Sequence, residues 1–423
     1  MNLKTLLSTS LIISSLSVLA QDAGKTYAIT GNGNGDFSWM NIRQVDITSG
    51  KITQDIYQNN KTAFVLTDVA SKAASGTQNF KISTNGITSF VQMKDAPTLS
   101  MVAAAAYDKK HDKLFFTPMR IGELRWLDLS AKTEVPQFYT EKIQLLNALD
   151  LNDEANHITR MDIAADGNGY AITNDGNHLI RFSTGKKTVI TDLGNLVDAE
   201  VNKSGISIHN KCTSWGGDMI ADAYGGLYVI SAAHQVFKVD IDTRITSYIG
   251  AITGLPGNFT TNGAAVDADN NIVVSSANSF EGFFKFKMAD LAATRIESSD
   301  KTISASDLAN GTLLNQKEAD AKKSFNMPSL APIAPINTDA RIYPNPVTAS
   351  EFRVLFDGQK AGQYSVALTD LSGRALMTTI VSVTTKLQTQ TIQIPRSTAK
   401  GMYLVKVMDA AKQVVFTERI VVQ

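Results

Sequence analysis

Asp218-Met219-Ile220-Ala221-Asp222-Ala223-Tyr224-Gly225-Gly226-Leu227-Tyr228-Val229-Ile230, followed by Val236-Phe237-Lys238-Val239-Asp240-Ile241-Asp242-Thr243, sets out one repeating unit. It runs as a small-residue apolar strand, an Asp and a Gly-rich turn, a second apolar strand, then an alternating strand closed by a polar turn. Glycine supplies the positive φ angles of a tight hairpin, and apolar–polar alternation has the period of a half-buried strand. Working outward, the first half returns in Asp162 to Ile172, in Ala264 to Val274, and in Ala104 to Asp108 with Leu114 to Phe116. The second half returns in Ile42 to Lys51, Leu124 to Ser130 and Leu179 to Gly185. Weaker copies lie at Phe80 to Gly86 and Phe283 to Met288.

Aligning Val45, Ile82, Leu127, Phe182, Val239 and Phe286 gives intervals of 37, 45, 55, 57 and 47 residues. Four strands in each such unit are the mark of propeller blades, and a β-sandwich explains the pairing but not the interval. Small residues such as Ala103 to Ala106, Ala164, Ala165, Ala264 and Ala265 suit strands crowded around an axis. Residues 21–325 therefore resemble the six-bladed β-propeller class, with a seven-bladed ring as the alternative, although no blade carries a Trp-Asp signature.

The 423 residues are 43% hydrophobic, with 40 basic and 40 acidic side chains, so a sizeable core is expected and no global field steers the chain to nucleic acid. Lys4, the apolar stretch Leu6 to Leu19 and Val18-Leu19-Ala20 read as a signal peptide over residues 1–20, cut between Ala20 and Gln21. That stretch is too short and too serine-rich for a stable span, and no transmembrane segment is expected elsewhere. The lone Cys212 excludes an internal disulfide and is expected to be a buried packing residue.

Pro328, Pro332 and Pro335, among alanines and Ser329, make residues 326–340 a linker. After it come short alternating strands over about eighty residues, the pattern of a small immunoglobulin-like β-sandwich. Tyr343-Pro344-Asn345-Pro346, Leu368-Thr369-Asp370-Leu371-Ser372-Gly373-Arg374, Gly401-Met402-Tyr403-Leu404-Val405-Lys406-Val407 and the final Arg419 to Gln423 stand in fixed order. In that order they resemble the type A C-terminal sorting domain of the type IX secretion system of Bacteroidetes-type bacteria, over residues 341–423. The resemblance implies the type IX machinery as a partner, an extracellular or outer-membrane-surface location, and a sorting motif on Pro344, Asn345, Pro346, Asp370, Gly373, Gly401, Tyr403 and Lys406. Its ten Lys and Arg against five Asp and Glu make it a basic module in a neutral chain.

Signatures of chemistry are sparse. His111, His157, His178, His209 and His234 have no ligand spacing, and neither a zinc-protease helix nor a nucleophile elbow is present. Asp166-Gly167-Asn168-Gly169 and Asp267-Ala268-Asp269-Asn270-Asn271 invite calcium but read better as turns. Asp162 and Asp218 occupy equivalent places near the start of an innermost strand, facing the expected channel, where the other units have Gly263 and Ala104. Trp39 and Trp215 sit in Gly/Ser/Asn-rich loops, where a large aromatic suggests a ligand face. These four are the candidate ligand-binding residues. The expected role is an exported binding scaffold for a carbohydrate or protein, not a catalyst; the alternative is a secreted metal-dependent hydrolase or lactonase acting in the channel.

Overall fold

In the computed structural model, residues 24–84, 87–202, 206–325, 341–370, 374–395 and 397–423 are described, and the expected signal peptide, its cleavage site and the linker lie outside them. The chain divides into two compact units, one ending at Phe325 and one following it. Both are almost wholly β.

Five sheets form the ring of the first unit, each built on four antiparallel strands, and the second and fourth add a parallel fifth strand at the outer edge. Their innermost strands are Val102–Asp108, Ile158–Ile163, Asp218–Ala221, Gly263–Val266 and Ala305–Asn310, and each neighbours the next in a closed cycle. This is propeller-like. Of the small residues expected at an axis, Ala104, Ala105, Ala106, Ala164, Ala264 and Ala265 are buried, Ala103 is half-buried, and Ala165 is exposed in the turn after its strand; the closing strand adds buried Ala305 and Ala309. The last strand, Ala305–Asn310, is the inner strand of the first sheet and pairs antiparallel with Thr26–Thr30, so the end of the unit closes on its beginning.

Among the described residues the ring thus has five sheets, where the repeat count predicts six. The extra unit came from Phe80 to Gly86. Its described part, Phe80 to Thr84, belongs to the strand Thr77–Thr84, which pairs with Ile87–Lys94, and among the described residues these two strands pair only with each other. An exposed hairpin and a blade strand share the same two-residue period, so periodicity cannot tell them apart. The hairpin base is fixed by a buried ion cluster. Arg125 donates to Asp95 at 2.9 and 3.0 Å and to Glu123 at 2.7 Å, while Gln78 donates to both carboxylates.

Cores lie between neighbouring sheets, as in Ala104, Phe115, Leu124, Trp126, Met161, Ala171 and Phe182, which form one cluster across the second and third sheets. Trp126 is buried there and stacks on Tyr139 at 5.5 Å. Phe182 fills the space over Gly169, where an added Cβ would stand 2.0 Å from the ring.

The second unit is two antiparallel sheets, Arg341–Tyr343 with Glu351–Asp357 and Leu387–Gln393, and Ala375–Val383 with Gly362–Thr369, Gly401–Met408 and Val414–Val422. Their inward residues, including Phe352, Val354, Phe356, Val366, Val405, Val407 and Ile420, make one core.

Candidate functional site

Three carboxylates meet the axis of the ring. Asp162 accepts from the Ala221 N–H of the next inner strand at 2.7 Å and from its own neighbour Ile163 at 2.7 Å. Asp218 repeats the arrangement one sheet on, accepting from Ala264 at 2.6 Å and Met219 at 2.7 Å. Asp307, on the closing strand, accepts from Ala105 at 3.0 Å. Each therefore staples one sheet to the following one. Asp307 is the member that sequence reading missed. Its signal is the small-residue run Ala305-Ser306-Asp307-Leu308-Ala309, which has the texture of the other inner strands, but its partner strand Thr26–Thr30 lies at the far end of the unit rather than after the following Asn310-Gly311.

Burial dominates the electrostatics. It pushes Asp162 up to about 7 against the pull of two backbone donors. Asp218 is raised well above the carboxylate range by burial and by the nearby charge of Asp307. Asp307 is raised by burial and by Asp162, and its Oδ1 is buried without a hydrogen-bond partner. The arrangement can hold protons near neutral pH. Apart from Asp307 Oδ1, its oxygens are spent on backbone N–H groups within and between the strands.

At the equivalent place in the fifth sheet, Gly263 leaves no room for a carboxylate. A Cβ there would lie 2.4 Å from Ser275 Oγ and 2.7 Å from the Asp307–Leu308 peptide. The Asp-rich turns are turns: Asp166 accepts from Asn168 and from Tyr170 Oη, and Asp267 from Asp269 and Asn271. Among the described residues no group of three His, Cys, Asp or Glu side chains is arranged to hold a metal ion.

Trp39 and Trp215 lie in loops at one end of the ring, where the chain enters the inner and third strands. Trp39 is half-buried, donates its Nε1–H to Ala277 O at 3.2 Å and Ser304 Oγ at 3.3 Å, and packs on the core between the first and second sheets. Trp215 donates to His209 O at 3.3 Å, and the Lys211 ammonium sits 4.8 Å from its ring centre. With His234, Phe259 and Asn278 it lines a depression of about 390 Å³. Its loop is anchored by fully buried Arg160, whose guanidinium donates to the Gly216, Thr173, Asn174 and Ser214 carbonyls. Cys212 is exposed rather than buried, because it falls in a four-residue helical turn of this loop.

At the same end lies a cavity of about 930 Å³, lined by Met40, Met101 and Met119 from the ring and by Phe80, Val91 and Met93 from the hairpin. No sequence motif points to it, since its walls come from four separate loops and the hairpin.

Sheet order and inner-strand cycle define an all-β, propeller-like protein with a second, smaller β-unit. Residues 341–423 match the secretion system C-terminal sorting domain family, and this part of the chain is a type IX sorting domain. The protein is accordingly secreted or held at the cell surface. No curated protein matches the chain. Among solved structures it is similar to PorZ, a type IX secretion surface component of Porphyromonas gingivalis, at 16% identity over 94% of this chain and 52% of that one, with a TM-score of 0.30. It is also similar to virginiamycin B lyase from Staphylococcus aureus, at 11% identity over 81% and 87%, TM-score 0.30. A third is a 6-phosphogluconolactonase-like protein of Bacteroides fragilis, at 12% over 69% and 99%, TM-score 0.33. The chain spans about half the length of PorZ.

In the sorting domain, Asn345 donates to Arg419 O at 2.8 Å and accepts from Val421 N at 3.0 Å, tying the Pro344-Asn345-Pro346 entrance to the last strand. Asp370 accepts from Arg374 N and Nε at 3.0 and 3.1 Å across its turn. Gly373 lies outside the described residues. Tyr403 is buried, with its hydroxyl donating to Ala399 O at 2.7 Å, whereas Lys406 is half-exposed on the outer face and Gly401 has only a 3.9 Å neighbour for an added Cβ. No helix among the described residues is long and apolar enough to cross a membrane.

Proposed function

We propose that the chain is a type IX-exported binding protein, a five-bladed propeller with an immunoglobulin-like sorting sandwich, whose ligand face is the loop end carrying Trp39 and Trp215. The observation that carries this reading is the cavity of about 930 Å³ at that end, within the size range of small-molecule sites and walled largely by apolar side chains. A catalytic reading of the channel has less support, because Asp162 and Asp218 spend their oxygens on backbone N–H groups of adjacent strands. The hydrolase alternative would need carboxylates aimed at a substrate instead.

The test is saturable binding of a neutral apolar dye, N-phenylnaphthylamine, to the purified protein. Val91→Glu places a charge on an exposed hairpin wall and should abolish the fluorescence rise without unfolding the ring. Phe90→Glu, on the neighbouring residue that does not line the cavity, should leave it unchanged. Equal loss in both variants, or no saturable signal in the parent protein, overturns the reading.

A further inference from the structure

Resting on that binding-face reading, we infer that the cavity takes an anionic amphiphile, a single apolar chain ending in a carboxylate, with Arg120 as the headgroup partner. Arg120 lines the cavity, is exposed, and its guanidinium has no hydrogen bond or ion pair among the described residues. Neither acidic side chain at the same rim pairs with Arg120. Asp153 accepts from Ala155 N at 3.0 Å, and Glu154 is paired with Lys211. The Arg120 donors are therefore open to a ligand beside the methionine wall of the cavity.

The floor suits a flexible chain. Met40, Met93, Met101 and Met119 contribute four unbranched thioethers, which adapt to an irregular apolar guest more readily than branched side chains do. Ser100 and Met101 are consecutive non-glycine residues at φ 69° and 67°, a left-handed conformation that persists only where the surroundings impose it. Here they do: Met101 N donates to Thr98 O at 3.1 Å, Met119 N to Met101 O at 2.9 Å, and Arg120 N to Ser100 Oγ at 3.2 Å. The strained turn thus holds the Met101 wall and the backbone of Arg120 in fixed relation. A guanidinium with open donors beside an apolar wall favours a planar carboxylate that accepts two parallel N–H donors. An amine headgroup offers the guanidinium no acceptor, and a plain alcohol would leave the charge unmatched.

Displacement of N-phenylnaphthylamine by dodecanoate, dodecanol and dodecylamine tests the headgroup. Dodecanoate should displace the dye at about tenfold lower concentration than dodecanol, the worth of one charge-assisted bond, and dodecylamine least well. Arg120→Gln should remove the preference for dodecanoate and leave the affinity for the neutral dye unchanged, while Arg120→Lys should restore part of it. Equal displacement by acid and alcohol, or a preference that survives Arg120→Gln, overturns the inference while dye binding itself leaves the cavity intact as a site. Binding confined to anionic phosphatidylglycerol vesicles, with no displacement by monomeric dodecanoate, also overturns it.

Discussion

At the axis, each carboxylate performs a strand-joining task that an amide cannot fully reproduce. Asp162 accepts two backbone donors and sits near 7, above its value in an unfolded chain. The folded protein then keeps a proton that the unfolded chain releases. Stability should fall as pH rises from about 4 to about 7 and level off above that. Thermal unfolding between pH 4 and 8 should show this slope. Asp162→Asn should shallow it, and at pH 5 should cost about 1–2 kcal/mol, because one of the two N–H donors loses its acceptor. A slope unchanged in the variant would place the proton elsewhere, on Asp218 or Asp307. Gly263→Ala is the matching steric test. Its Cβ would enter the Asp307–Leu308 peptide of the adjacent inner strand, so denaturant titration should read a loss of about 1–3 kcal/mol. Gly185→Ala, with nothing within 4 Å, should be nearly neutral.

Among the elements, the closing strand Ala305–Asn310 and the hairpin Thr77–Lys94 stand at opposite extremes. The closing strand pairs with Thr26–Thr30, adjoins the inner strands on either side and carries Asp307. A chain truncated at Ser304 should lose cooperative unfolding altogether, because two inner-strand boundaries then open to water. Among the described residues the hairpin pairs with nothing but itself. Replacing residues 79–92 by a short Gly-Ser turn should leave the ring folded, with Gln78 still donating to Asp95 and Glu123, but should abolish dye binding. Circular dichroism melts and the dye titration separate the two results. The hairpin also shows how a real strand signal misleads: its alternation is genuine, and what it lacks is a partner sheet. The Gly/Asn turns, by contrast, were legible locally, because Asp166 and Asp267 bond to groups within four residues of themselves.

For the whole molecule, ring and sorting domain each carry their own core. Deleting residues 341–423 should therefore leave the melting of the first unit unchanged while the protein is retained in the periplasm, read by fractionation of cells that have the type IX system. Within that domain, Tyr403→Ala should unfold the small unit by emptying a core position and orphaning Ala399 O, at about 3–5 kcal/mol. Lys406→Ala should melt normally, since its side chain stands on the outer face. What the sequence alone determined was whatever rests on neighbours in the chain. This comprises the order and spacing of the sorting-domain segments, the hairpin turns, and the small-residue strands with their two visible carboxylates. Only the tertiary structure decided the number of sheets in the ring, the role of Asp307 and the existence of the cavity. The physical reason is separation: Asp307 bonds to Ala105, Ala305–Asn310 pairs with Thr26–Thr30, and Met40, Met93 and Met119 share one wall. Contacts between residues so far apart in the chain leave no periodicity to read; closing the ring creates them.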